Sequence, residues 1–346
     1  MNDTIITVNL PNNLTTHERP LFEQHKQYKL QPLCVKKMQY VFVSHAGFCM
    51  DENGLLKECH HHYPEHFENY RNMVGHDYNQ AAEDEDKLIY LENDNEYLLI
   101  HHPWSNYYHW ITESIPKLWQ VKGELDKLIL ILPEEYQGWD FVNKTLQPFT
   151  FKDIFYIPTD KSLFVKNLRL PQIKPICASY DSSIVTSQRS FYVDYVKRQQ
   201  TSTLNCGDKL FVNRKYANRR KIANDDAVQE VLAKHNFVTI DCEFISFYDQ
   251  VSIFSNARYL VSLHGAGLTN MLFMPPQSSV LELHKRITNA NDHHSLVYWY
   301  LADALQHNYF HQICEPTDPD AEFFTADFIV DTDKLDENIQ HMLSKV

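Results

Sequence analysis

The seven cysteines of this 346-residue chain (Cys34, Cys49, Cys59, Cys177, Cys206, Cys242 and Cys314) include no CxxC pair. An odd, scattered set excludes a disulfide scaffold and offers no cysteine zinc site, so the reduced thiols of a cytoplasmic protein are expected. No apolar run approaches the roughly 20 residues that span a bilayer, and Met1–Val8 has no basic segment leading into an apolar core. A protein without a membrane span or signal is therefore expected, with a peripheral contact at the inner membrane face left open. Positive charge is also short: 45 acidic residues against 32 basic give a net charge of -13. That balance argues against bulk nucleic-acid binding. Low-complexity tracts, the mark of disorder, are absent too.

Hydrophobic residues make up 43% of the chain and aromatic residues 13%. This is ample for folded cores, and the length exceeds what one core fills efficiently, so two domains are expected. Strand patterns at Lys209–Val212, Phe237–Ile240, Tyr259–Leu263 and Ser279–Leu283 alternate with helical ones, as in a parallel doubly wound sheet. Asn224 is positioned to cap a helix over Asp225–His235, and Ser246 with Asp249 reads as a capping box for Phe247–Asn256. Asp292–Ala304 and Lys334–Ser344 also look helical. Upstream, the proline-ended apolar runs Lys127–Pro133 and Asp153–Pro158 predict buried parallel strands of a second α/β domain. Glu83–Asp86 and Asp181–Ser190 read as exposed segments, and Gln199–Thr203 as a linker. The expected division is a 1–203 domain, a 204–330 domain and a 331–346 helix packing back on the first.

Three local patterns carry chemistry. In the first, the strand Tyr259–Leu263 runs into His264-Gly265-Ala266-Gly267-Leu268-Thr269-Asn270, a glycine turn and helix start. Gly265 and Gly267 can adopt angles closed to other residues and leave no side chain in the way, so helix N–H groups can face a phosphate; a tight turn without ligand is the plain alternative. In the second, five of the eight residues Arg214–Lys221 are basic, beginning where the Lys209–Asn213 strand ends. Ligands of open α/β sheets collect at such strand ends, and arginine forks suit phosphate oxygens, although a short charged run also fits a solvated loop.

In the third, Ser105 or Asn106 can cap a helix whose stripe Trp110, Ile111, Ser114, Leu118 and Val121 faces inward, bent at Pro116 and stopped at Gly123. Asn106, His109 and Glu113 then share a face away from that stripe. An amide, an imidazole and a carboxylate together are general acid/base material, and the alternative is a solvent-facing His/Glu pair. A histidine cluster, His60-His61-His62 with Glu65 and His66, to which His293 and His294 could add, has zinc-like spacing. Pro64 sits inside it, which favours a solvated loop.

Taken in order, Asn-Tyr-Tyr-His-Trp-x-x-Glu at 106–113, Asn-Arg-x5-Arg-x3-Asn at 213–224, Ser246-Phe247-x-x-Gln250, and His264–Asn270 through Leu281-Glu282-Leu283 resemble glycosyltransferase family 61, in a bacterial-type form. The resemblance covers about residues 95–312, and the first ninety residues match nothing. It implies a GT-B-like α/β protein with two Rossmann-like domains facing across a cleft, the first on the acceptor side. The implied reaction is inverting single displacement from a nucleotide-sugar donor, UDP-linked, to a glycan hydroxyl, with lipid-linked acceptors included and polysaccharide biosynthesis as the setting. Arg214 and Arg220 match arginines at the donor pyrophosphate. His264, Gly265, Ala266, Gly267, Leu268, Thr269 and Asn270 would line the same phosphates, and Glu282 would accept from the ribose. Glu113 is the first choice of base, oriented by His109, with His109 the second choice and Asn106 on the acceptor side. Arg219 and Lys221 are supporting charge.

No cofactor and no essential metal are expected, because the acidic runs Asp84-Glu85-Asp86 and Glu92–Glu96 lack a convincing preceding strand. Two rival classes stand. A nucleotide-cofactor oxidoreductase or epimerase would use a similar phosphate turn, but no GxGxxG follows a strand. A catalytically silent glycan-binding scaffold would need neither the Asn106, His109, Glu113 face nor both arginines.

Overall fold

Leu128–Pro133, six consecutive buried residues, forms an inner strand in a computed structural model that describes residues 4–288, 295–321 and 325–345. It pairs in parallel with Glu96–Leu99 on one side and Asp153–Ile157 on the other. Burial on both faces explains the unbroken apolar run. Asp153–Ile157 ends the row and buries only Ile157 completely, so it is a half-covered edge strand rather than the buried one expected. Beyond Glu96–Leu99 the sheet continues through Ser162–Pro171 and Val35–Val43 to the short strands Cys49–Asp51 and Gly54–Leu55. Leu88–Leu91 also pairs in parallel with Ser162–Pro171, whereas Val35–Val43 runs antiparallel to it. Pro64 opens the helix Pro64–Glu83, where its missing N–H costs nothing, and Tyr70, Val74 and Ala81 bury against this sheet.

The chain divides into two compact units, one made of Gln31–Ser179 and the other of Ile5–Leu30 with Tyr180–Val346. The expected boundary at 203/204 thus differs from the observed one at 179/180, and the early segment groups with the later unit. The cause lies in the segment read as exposed: Asp181 accepts from the main-chain N–H groups of Ser183 and Ile184, capping a helix over Ser182–Gln199. Its Val185, Tyr192, Val193 and Val196 are buried, and the Tyr192 ring meets Phe247 edge-on at 5.4 Å.

The second unit holds the doubly wound sheet. Val238–Ile240, Lys209–Val212, Tyr259–Leu263, Ser279–Lys285 and Asn308–Pro316 follow one another in parallel, and Phe328–Ile329 adds an antiparallel edge. The helix expected from Asp292 is described over Val297–Ala304, and its earlier residues lie outside the described ones. Thr332–Leu343 forms the last helix. Its Leu335, Ile339 and Met342 join Phe211, Val261, Leu281 and Phe310 in one core, so its apolar face packs on the sheet of its own unit. Asn224 precedes Asp225–Lys234 without capping it; its amide instead brackets Val330, donating to the carbonyl at 2.8 Å and accepting from the N–H at 3.0 Å.

Candidate active site

The second unit gathers the anion-seeking residues at strand ends. Val212 lies opposite Ser262 in the parallel ladder, so the Arg214–Lys221 loop and the glycine turn leave from the same edge. The glycines are needed for close approach. A Cβ on Gly265 would stand 2.3 Å from Arg214 Nη1, and one on Gly267 would stand 2.6 Å from Val212 Cγ1. The special backbone angles also expected of the two glycines are not taken up at Gly265, which is extended, with φ 167°. The helix that follows, Ala266–Phe273, is a tight 3-10 helix. Only Ala266 and Gly267 of the turn are half-exposed. Leu268, Thr269 and Asn270 are buried, and Asn270 Nδ2 donates to Gln250 Oε1 at 2.8 Å, tying the turn to the helix Phe247–Asn256. Ser246 caps that helix as expected, its Oγ accepting from the Asp249 N–H at 3.3 Å.

Arg214 and Arg220 are brought together here. Arg220 Nη1 donates to the His264 carbonyl at 3.1 Å, and its backbone sits in the left-handed region at φ 59°, which costs about 1–2 kcal/mol in a residue with a Cβ. Burial lowers the affinity of both guanidinium groups for their protons; Arg220, with Arg214 and Arg219 beside it, is pushed down to about 10. The buried Nε of Arg214 has no hydrogen-bond partner among the described residues. Two desolvated like charges are unfavourable until an anion joins them.

Glu282 is placed differently from expectation. It is fully buried, with Oε1 at 2.5 Å from His264 Nδ1 and Oε2 accepting from the Tyr309 hydroxyl at 2.7 Å. His284 Nε2 lies 2.9 Å from that hydroxyl. Both oxygens are engaged inside the protein, which does not fit the expected contact with a ribose. Glu282 instead orients His264, which burial and the two arginines hold neutral.

The first unit holds the acid/base group. The continuous helix expected up to Gly123 is broken into Tyr107–His109, a π-turn over Trp110–Ser114 and a last turn over Lys117–Gln120 after Pro116. Asn106 is the cap, its Oδ1 accepting from the His109 N–H at 3.2 Å. The inward stripe is as expected, with Trp110, Ile111, Ser114, Leu118 and Val121 all buried. Glu113 is not on the outer face, because the π-turn adds a residue to the helical period and turns that side chain inward. Its side chain has no exposed surface, whereas His109 keeps 14%.

Four groups converge on the Glu113 carboxylate. His109 Nδ1 lies 2.6 Å and His102 Nε2 3.2 Å from Oε2; His61 Nε2 lies 3.0 Å and Lys174 Nζ 3.7 Å from Oε1. Burial alone would raise the Glu113 pKa, but His61 and His109 by charge, and His102 and His109 by hydrogen bonding, hold it well below the usual carboxylate range. Burial also drives His102 down to about 3, and lowers His61 against the pull of the carboxylate.

Lys174, His61 and His102 escaped the sequence reading. Lys174 carries no local pattern, and the 60–62 cluster was expected to be a solvated loop because of Pro64. Pro64 is the first residue of its helix, however, so the cluster precedes the helix, and His60 and His61 are buried. Donor atoms of His61, His102 and Glu113 lie within 4.8 Å of one another, as do those of His109, Glu113 and Cys177, and of His264, Glu282 and His284. These are zinc-type donors. Lys174 beside the Glu113 groups, and Arg220 beside the last, already supply positive charge at short range. His293 and His294 lie outside the described residues. All seven cysteines are free, and no helix among the described residues is long and apolar enough to cross a membrane.

The second unit offers an arginine-bound turn at the ends of parallel strands, and the first a carboxylate-anchored imidazole, each a kind of group that enzymes use in group transfer. Residues 107–281, just over half of the chain, match the family model of Glycosyltransferase 61, and the chain belongs to that family. The matched span contains His109, Glu113, both arginines and the glycine turn, and stops just short of Glu282. A stretch of 68 residues is 34% identical to an EGF domain-specific O-linked N-acetylglucosamine transferase of Drosophila melanogaster. That stretch is 19% of this chain and 13% of the relative's length. With an insect relative, family membership carries no restriction to a bacterial type.

Proposed function

We propose that this glycosyltransferase is an inverting enzyme of the GT-B class, transferring a sugar from a UDP-linked donor to a glycan hydroxyl by single displacement, without cofactor or essential metal. The observation that carries the mechanism is the asymmetry of the His109–Glu113 pair. Glu113 is sealed in with both oxygens engaged, so it cannot reach an acceptor, whereas His109 remains partly exposed. The roles first assigned are therefore exchanged: His109 is the base and Glu113 orients it. With Nδ1 directed at Glu113, Nε2 takes the acceptor proton as the acceptor oxygen attacks the anomeric carbon from the side opposite the diphosphate. The bond from that carbon to the diphosphate oxygen breaks, and its electron pair leaves with the nucleotide. Arg214, Arg220 and the N–H groups at Ala266 and Gly267 stabilise the growing charge, the part a metal plays elsewhere. Asn106, exposed at the helix start, contacts the acceptor.

Calorimetric titration with UDP, GDP, CMP and NAD in EDTA, repeated with magnesium or manganese, tests the donor class. Selective metal-free binding of UDP is the expected result. Binding only with metal, or of NAD alone, would refute the reading. The Drosophila relative's name makes UDP-N-acetylglucosamine the first donor to assay, against free and lipid-linked acceptors.

A further inference from the structure

We infer that Lys174 is a positioning residue for transfer: its ammonium holds Glu113 Oε1, leaves Oε2 to His109, and opposes the charge that His109 acquires with the acceptor's proton. This rests on His109 being the base. Lys174 follows the strand Ser162–Pro171, is itself buried, and places Nζ 3.7 Å from Oε1 on the side of the carboxylate that His61 also contacts at 3.0 Å. A sealed carboxylate among imidazoles whose charged form burial disfavours is poorly compensated; burial lowers Lys174 as well, but the Glu113 charge beside it works the other way, and Lys174 supplies the opposite charge within the same unit.

The other titratable groups that face Glu113 do not duplicate it. Burial holds His102 neutral and lowers His61, Cys177 is kept protonated by burial beside the carboxylate, and Tyr63 and Tyr70 are pushed up by burial and stay neutral. Lys117, one turn beyond Glu113, is fully buried, and its Nζ has no hydrogen-bond partner among the described residues; burial pushes it down to about 8, so it adds positive charge without an ion pair to the carboxylate. Removing Lys174 takes away the ammonium beside Oε1, so the Glu113 charge bears more strongly on His109 and favours the proton that His109 takes from the acceptor. A base that is more readily protonated needs a higher pH to be free, so activity falls off sooner as the pH drops.

The test is the pH profile of kcat/KM for Lys174→Met and Lys174→Gln, measured above pH 6 with UDP binding as the check that each variant is folded. The acid limb is expected to move up by about one pH unit, roughly a tenfold loss at low pH that recovers toward pH 8.5, with donor affinity unchanged. Lys174→Arg should restore the original limb. Equal loss at every pH, or an unmoved limb in both variants, overturns the inference. His109→Ala separates the two claims: full activity in that variant would overturn the base assignment, whereas an inactive His109→Ala with an unmoved Lys174→Met limb overturns only the role of Lys174.

Discussion

At the scale of single residues, His109 and Glu113 differ in access, so their variants should differ in kind. His109→Ala removes the base itself and is expected to lower kcat by about 10²–10⁴-fold with UDP affinity intact, read by single-turnover assay and calorimetry. Glu113→Gln keeps the shape but removes the charge that directs His109 Nδ1, and should also lower kcat without weakening UDP. Retained transfer in both variants would rule out this dyad. Arg214→Ala should act on binding instead: one charge-assisted hydrogen bond contributes about 1.5–3 kcal/mol, a loss of roughly 10–100-fold in UDP affinity. Gly265→Ala should resemble it, since its Cβ would stand 2.3 Å from Arg214 Nη1 and displace the guanidinium. Unchanged UDP binding in Gly265→Ala would show that this arginine does not hold the diphosphate.

At the scale of elements, the parallel strands were legible because two-sided burial leaves an unbroken apolar run, and Tyr259–Leu263 appears with the bounds expected. Caps were partly legible. Ser246 performs as its spacing implies, but Asn224 lies near Val330, whose separation in sequence no local pattern conveys. The π-turn was illegible for a similar reason: Trp110–Ser114 fits an ordinary helix residue by residue, and only the convergence of His61, His102 and Lys174 makes it worthwhile to bring Glu113 inward. Hence the residues of the candidate site are legible in the sequence, whereas their burial and contacts become visible only in the fold. Asn224→Ala should expose the difference between a cap and a bracket. It removes both bonds to Val330, where Phe328–Ile329 leads into the last helix, and should destabilise the protein by about 1–3 kcal/mol, read as a lower midpoint in urea. A change of only a few tenths, as for an exposed cap replaced at little cost, would show that this bracket is not structural.

At the scale of the whole molecule, buried neutral histidines make stability depend steeply on pH. Burial pushes His101 and His102 down to about 3 and His307 to about 4, against 6.5 for an exposed imidazole. As pH falls below 6.5, the unfolded chain binds protons at these positions and the folded chain does not, so unfolding is favoured. Each pH unit costs about 1.4 kcal/mol per histidine until the folded group titrates, hence about 2 kcal/mol per residue at pH 5. Three such residues reach about 6 kcal/mol, comparable with the whole stability of an ordinary domain. Glu113 contributes in the same direction but lower: its depressed pKa supplies stability that is present above about 4.5 and lost as pH falls further. Differential scanning calorimetry from pH 7.5 to pH 5 should therefore show a sharply falling Tm, and a flat Tm over that range would mean that these histidines are not held neutral in solution. His101→Gln is the decisive variant, because His101 is buried against the His45 carbonyl and is not one of the four groups that converge on the Glu113 carboxylate. If it folds, its Tm should fall less steeply with pH than that of the parent by the share of one histidine, and the pH profile of transfer should match that of the parent.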